Sequence, residues 1–149
     1  MIIEAIRDFI KLCPHLDKFT PLNVDYLDKD AVNYSIQATP CVPVIEEYVD
    51  GSTTRQFTFL FASREVYGPD EILNIENSGF YEKFANWIEE QSKNKNLPIL
   101  ENGNESIKLQ VLTPGYVFQT DIDRGQYQIQ LKLMYFSPKW YYNVSIEGC

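Results

Sequence analysis

The chain is short of the residues from which most enzyme and metal sites are built. It has a single histidine, His15, and three cysteines, Cys13, Cys41 and Cys149. An odd cysteine count with no C-x-x-C and no Cys/His spacing argues against both a disulfide framework and a zinc site, and fits a reducing compartment best. The seven glycines fall in no GxGxxG, GxxxxGKS/T or GxSxG pattern, so the dinucleotide, phosphate-loop and nucleophile-elbow signatures are missing. Basic residues are scarce as well, 13 against 21 acids, for a formal net charge of -8. Such a chain on average repels a nucleic-acid backbone, and sequence-specific nucleic acid is not expected as a partner.

Long apolar runs are also missing. The opening MIIEAIRDFIKLC carries Glu4 and Asp8 within it, so it lacks the uninterrupted apolar core of a signal peptide. No window approaches the roughly 20 apolar residues of a membrane span. No membrane partner is expected.

What is present suits one globular domain over 1–149. The chain is long enough to close a core without metals or disulfide staples, and its 44% hydrophobic and 23% charged residues are ordinary for that class. Ile2, Ile3, Ile6, Phe9, Ile10 and Cys13 follow helical spacing until Pro14 stops the run. Residues 15–30 read as a loop from which Leu22, Val24, Tyr26 and Leu27 can dip into the core. Val32, Tyr34 and Ile36 alternate as in a strand, and Pro40 and Pro43 then deny ladder donors, which predicts a short strand followed by an extended, edge-like segment.

Asp50-Gly51 marks a turn before RQFTFLFASRE, the centre of a strand predicted over 53–66. Alternate side chains point to opposite faces of a strand, so Phe57, Phe59 and Phe61 face one way while Thr58, Leu60 and Ala62 face the other. Neither set is strongly polar, so both faces call for a cover. Beyond Gly68-Pro69-Asp70, the residues Ile72, Ile75, Phe80, Phe84, Trp87 and Ile88 trace a second helical stripe to about Gln91. Gly79 is expected to break it, with Ser78 as an N-cap.

The last third alternates. Ile107, Leu109 and Val111 share a face, Thr113-Pro114-Gly115 interrupts them, and DIDRG forms a hairpin tip. Tyr127, Ile129, Leu131, Leu133 and Tyr135 then oppose Gln128, Gln130 and Lys132. The fold class expected is α+β: two helices packed on one face of a mostly antiparallel sheet, in the order α-β-β-α-β-β, with an aromatic C-terminal tail over 137–149.

No constellation points to catalysis. His15 sits in a loop without a partner base or nucleophile, and Cys13 lies on the apolar stripe of the first helix. Asp121 and Asp123 are too few for a calcium loop and have Arg124 beside them. No catalytic, cofactor-binding or metal-binding residue is assigned. The aromatics, 14% of the chain, suit a core and a protein interface, and Trp140 and Tyr141 either cap the core or reach into a neighbour.

Four blocks, MIIEAIRDFIKLCP, VDGSTTRQFTFLFASREVYG, NIENSGFYEKFANWIEEQ and YQIQLKLMYF, resemble in order a family of small tailed-phage and prophage structural proteins, called minor capsid or tail-completion proteins. Some members carry the label "chloramphenicol resistance protein". That activity needs an HHxxxDG pattern, which this chain lacks. With the αββαββ order, the resemblance implies a fold and role like those of tail terminators: a homo-oligomeric, hexameric ring that stops the growing tail tube and joins it to the head connector. The implied partners are further copies, the phage major tail protein and the head-tail connector proteins. The implied place is the virion, at the tail or head-tail junction, after assembly in the host cytoplasm. The resemblance equally allows a head-completion protein bridging connector and tail, and the residues alone leave open a small cytoplasmic enzyme or regulatory binding domain.

A ring needs heterologous contacts that close. The candidates for them are Leu60 and Ala62 on the less covered sheet face, segment 41–49, the tail residues Trp140 and Tyr141, and Arg55 and Arg64 as partners for a neighbour's acids. The two arginines serve equally well as solvated rim residues.

Overall fold

The computed structural model describes residues 1–16, 22–24, 33–66, 71–120 and 124–138, with the backbone alone at 65–66, 71–77, 119–120 and 124. Helix α1 spans Ile2–Ile10 and α2 spans Glu71–Lys93; the strands are β1 Leu22–Val24, β2 Asn33–Ala38, β3 Val44–Glu47, β4 Thr53–Val66, β5 Glu105–Val111, β6 Tyr116–Thr120 and β7 Arg124–Ser137. The fold is mixed α+β around a mostly antiparallel sheet of seven strands. The expected α-β-β-α-β-β order is corrected, because prolines and a Pro-Gly pair split each outer strand in two. Pro40 and Pro43 lie between β2 and β3, and Pro114-Gly115 lies between β5 and β6. The short parallel strand β1, paired with β2, falls in the stretch expected to be loop.

The centre of the sheet is one long antiparallel pair. Strands β4 and β7 run in register from Thr53 opposite Ser137 to Val66 opposite Arg124. Both then carry their apolar sets to one face, where Phe57 meets Leu133, Phe59 meets Leu131 and Phe61 meets Ile129, all of them buried. Each such cross-strand pair is worth roughly 0.2 to 1 kcal/mol relative to a pair of alanines.

Both helices cover this face. Helix α1 buries Ile2, Ile3, Ile6, Phe9 and Ile10, the stripe its sequence spacing predicts, while Tyr81, Phe84 and Ile88 of α2 are buried in the same core. Phe84 stacks on Phe61 and Phe9 meets Trp87, so sheet, α2 and α1 interlock through rings. The expected break at Gly79 does not occur. Glycine costs a helix interior roughly 1 kcal/mol relative to alanine, less than the packing of the flanking Phe80, Tyr81 and Phe84 supplies, and Ser78 is an exposed residue of the continuous helix rather than its cap.

Helix α2 ends without a glycine. Lys95 takes the left-handed conformation at φ 63, and the amides of Lys95 and Asn96 donate back to the carbonyls of Ser92 and Gln91, the pattern of a Schellman cap. The chain returns through Leu97, Pro98 and Leu100 against the core, and the Ser106 hydroxyl donates to the Pro98 carbonyl at 2.5 Å.

Candidate subunit interface

Among the described residues, the side chains with reactive chemistry are not gathered. His15 is exposed in the turn after α1. Cys13 is buried, and that burial pushes its thiol above the ordinary value, against the weaker pull of backbone hydrogen bonds at His15 and Leu16, so it is a poor nucleophile. Cys41 is disulfide-bonded, which corrects the expectation of no disulfide and removes the support it lent to a reducing compartment. It lies half-buried in the proline-broken segment between two strands, outside the core packing that shields Cys13. Among the described residues no group of three or more His, Cys, Asp or Glu is placed to hold a metal. A groove of about 280 Å³ between α1 and the loop at 97–99, lined by Phe9, Leu12, Pro98, Ile99 and the single charge Asp8, is at the small end for a ligand pocket.

The sheet face away from the helices is built from amides. Across it run the rows Ser35, Ala62, Gln128 and Gln37, Leu60, Gln130. The Tyr116 hydroxyl accepts from Gln128 Nε2 at 2.6 Å and from Gln130 Nε2 at 3.1 Å, and Gln126 donates to Gln128 Oε1 at 3.3 Å. Leu60 and Ala62 do face this side, opposite the three phenylalanines. Leu60 is half-buried, whereas Ala62 is fully buried within the single chain, because a methyl group flanked by longer neighbours offers no surface of its own.

Arg64 is half-buried on the same side, in register with Asn33 and Gln126. Arg55 shares the parity of Phe57 and so enters the helix-covered side. It is only 7% exposed, and its Nε donates to Thr53 Oγ1 at 3.0 Å. A guanidinium held this way is poorly placed to meet a neighbour's acid. Trp140 and Tyr141, like Tyr26, Leu27, Asp121 and Asp123, lie outside the described residues.

Most of the exposed large apolar residues sit at the lateral edges; the others, Met1, Leu12 and Ile99, lie at α1 and the loop at 97–99. Since β7 occupies one side of β4 along its whole length, β2 and β3 share the other; by the same logic β5 and β6 share the far side of β7. Each of β3, β5 and β6 carries one bulge, where two residues oppose one on the partner, between Val44 and Glu46, Ser106 and Lys108, and Val117 and Gln119. The extra residues are Ile45, Ile107 and Phe118, and they are 45%, 38% and 59% exposed. A bulge re-aims a side chain out of the pleat. Val42, Tyr48 and Val49 add exposed apolar area beside β3, and Leu112 and Val117 do so beside β5 and β6.

This placement explains one correction. Ile107 was expected to share the face of Leu109 and Val111, but the bulge at Ile107 seats Ser106 opposite Tyr135 in its place. The prolines of segment 41–49 mark it as edge-like, whereas Ile107, Leu112, Val117 and Phe118 are not among the contact candidates that the sequence offers. The signal available for part of the set is a doubled apolar position, Val44-Ile45 and Val117-Phe118, since neighbours in a regular strand cannot both face the core. Ile107, between Ser106 and Lys108, shows none.

No family model and no curated protein matches this chain.

Proposed function

We propose that this chain is a non-enzymatic structural protein of the phage virion that closes into a homo-oligomeric ring of tail-terminator type, most simply a hexamer, capping the tail tube and joining it to the head connector. The single observation that carries the proposal is the pair of bulged apolar edges on opposite sides of the β4–β7 pair. Head-to-tail closure requires two different surfaces on opposite sides of one subunit, and exposed apolar residues gathered on an edge mark a contact rather than a solvated rim.

The rest of the molecule is compatible with a scaffold. Its core is filled by rings from both helices and both long strands, and its net charge of -8 disfavours tight binding to DNA passing through a lumen. No helix among the described residues is long and apolar enough to cross a membrane.

Light scattering of the chain alone and with the major tail protein of the same phage tests the proposal. A discrete closed oligomer, free or on tube ends, is the expected result. A chain that stays monomeric in both settings refutes it.

A further inference from the structure

Resting on the ring reading, we infer which surfaces meet: the β3 edge of one copy docks against the β5–β6 edge of the next, through protruding side chains rather than through a shared ladder of backbone hydrogen bonds. The bulges carry the second half of this statement. A β-bulge interrupts the regular row of N–H and C=O groups on an edge strand and twists it away from continued pairing. Strands β3, β5 and β6 are each interrupted in this way, and at each the extra residue is Ile or Phe; the remaining edge, the three-residue β1, is regular. Edges protected only against aggregation would place lysine or another charge at those positions. Apolar knobs on a ladder that cannot extend are suited to filling hollows between a neighbour's side chains.

Charge assigns the partner as a second copy in head-to-tail orientation. The β3 segment 41–50 contains Glu46, Glu47 and Asp50 and no basic residue. Across the molecule the bulge residue Ile107 is followed by Lys108, with Glu105 farther back at the start of β5. Glu46, Glu47 and Lys108 are exposed, and none of the ion pairs among the described residues involves them. Ile45 and Ile107 therefore have charges of opposite sign beside them, Glu46 and Lys108, while Phe118, between Val117 and Gln119, has none. Two β3 edges brought face to face would oppose Glu46 and Glu47 to their own copies, which disfavours a two-fold dimer through that edge and favours the heterologous pairing.

The test uses two charge-reversed chains, K108E and the double variant E46K/E47K, alone and mixed in equal amounts, in the setting where the natural chain forms its oligomer. Each variant alone sets like charges against each other at every contact, and we expect the concentration for half-assembly to rise roughly tenfold or more. In the mixture, the reversed edge of either variant meets the complementary edge of the other, so assembly returns near the natural concentration with the two chains in equal proportion.

F118S provides the apolar arm. It is expected to weaken assembly while leaving the thermal unfolding midpoint near that of the natural chain, because the side chain is mostly solvent-facing. Variants that assemble like the natural chain overturn the assigned contact and leave the ring standing. Impaired variants whose mixture stays impaired also overturn it. Failure of the natural chain to oligomerise anywhere removes the ring reading itself.

Discussion

Phe61 of β4 and Phe84 of α2 stack with ring centroids 4.6 Å apart and planes 19° from parallel. Both are fully buried, so this contact joins the long strand to the helix that covers it. Truncation of Phe84 to alanine removes the stack and leaves a cavity, with an expected cost of about 3 to 5 kcal/mol. Phe84→Leu, closer in volume, should cost less than half as much. Urea unfolding of both variants checks the order, and equal, small effects would mean that α2 does not cover the strand as described.

Two glycines should respond to alanine with opposite signs. A Cβ at Gly115 would lie 2.5 Å from Tyr81 Cβ, whereas one at Gly79 would have nothing within 4 Å. Gly115→Ala forces the β5–β6 kink away from α2 and is expected to destabilise by about 1 to 3 kcal/mol. Gly79→Ala fills open space in a continuous helix and should stabilise by roughly 0.5 to 1 kcal/mol. Thermal midpoints of the two variants moving in the same direction would contradict the placement of α2.

The Tyr81 hydroxyl ties the same helix to the sheet. It donates to the Tyr127 carbonyl at 2.9 Å and shares a 2.6 Å hydrogen bond with Ser63 Oγ. Tyr81→Phe leaves those buried groups short of a partner, at an expected cost of about 1 to 3 kcal/mol. Combining it with Ser63→Ala should cost less than the sum of the two single changes, a coupling that denaturation of the four chains measures.

Burial holds the Cys13 thiol above its ordinary value, so the folded chain favours the neutral form. The associated stability is complete below the unfolded thiol's value of about 8.5 and is lost as pH rises through the higher folded value. The unfolding free energy of the natural chain should therefore fall more steeply from about pH 8 to about pH 10 than that of Cys13→Ala. Parallel slopes would show that the thiol is not shielded in the folded state.

The parts of the fold legible in the sequence are those where one local pattern has one consequence. The alternation in FTFLF and in YQIQLKLMY matches strands β4 and β7 and their shared apolar face, and the Ile2-to-Ile10 spacing matches α1. The proline breaks were legible as interruptions, although not as points that divide one strand into two. The parities of Arg55 and of the bulge residues were harder to see. Arg55 follows the parity of the phenylalanines onto the covered side, against the usual tendency of a guanidinium to stay wet. A bulge shifts one residue out of register without a composition of its own, which is why Ile107 was assigned to the core face. Among the described interface candidates, segment 41–49 lies on an edge while Leu60, Ala62 and Arg64 lie on a face; most of the exposed apolar residues lie on edges, and edges follow from strand order, which no single segment encodes.

Under the proposed function, copies of this chain close around the end of a tail tube. Electron microscopy of tubes polymerised from the major tail protein of the same phage, with and without the chain, tests it most directly. Ring-shaped density at one end of each tube and arrest of further growth at that end are the expected result. Tubes that continue to lengthen with bare ends, at chain concentrations well above that of the ends, would contradict it.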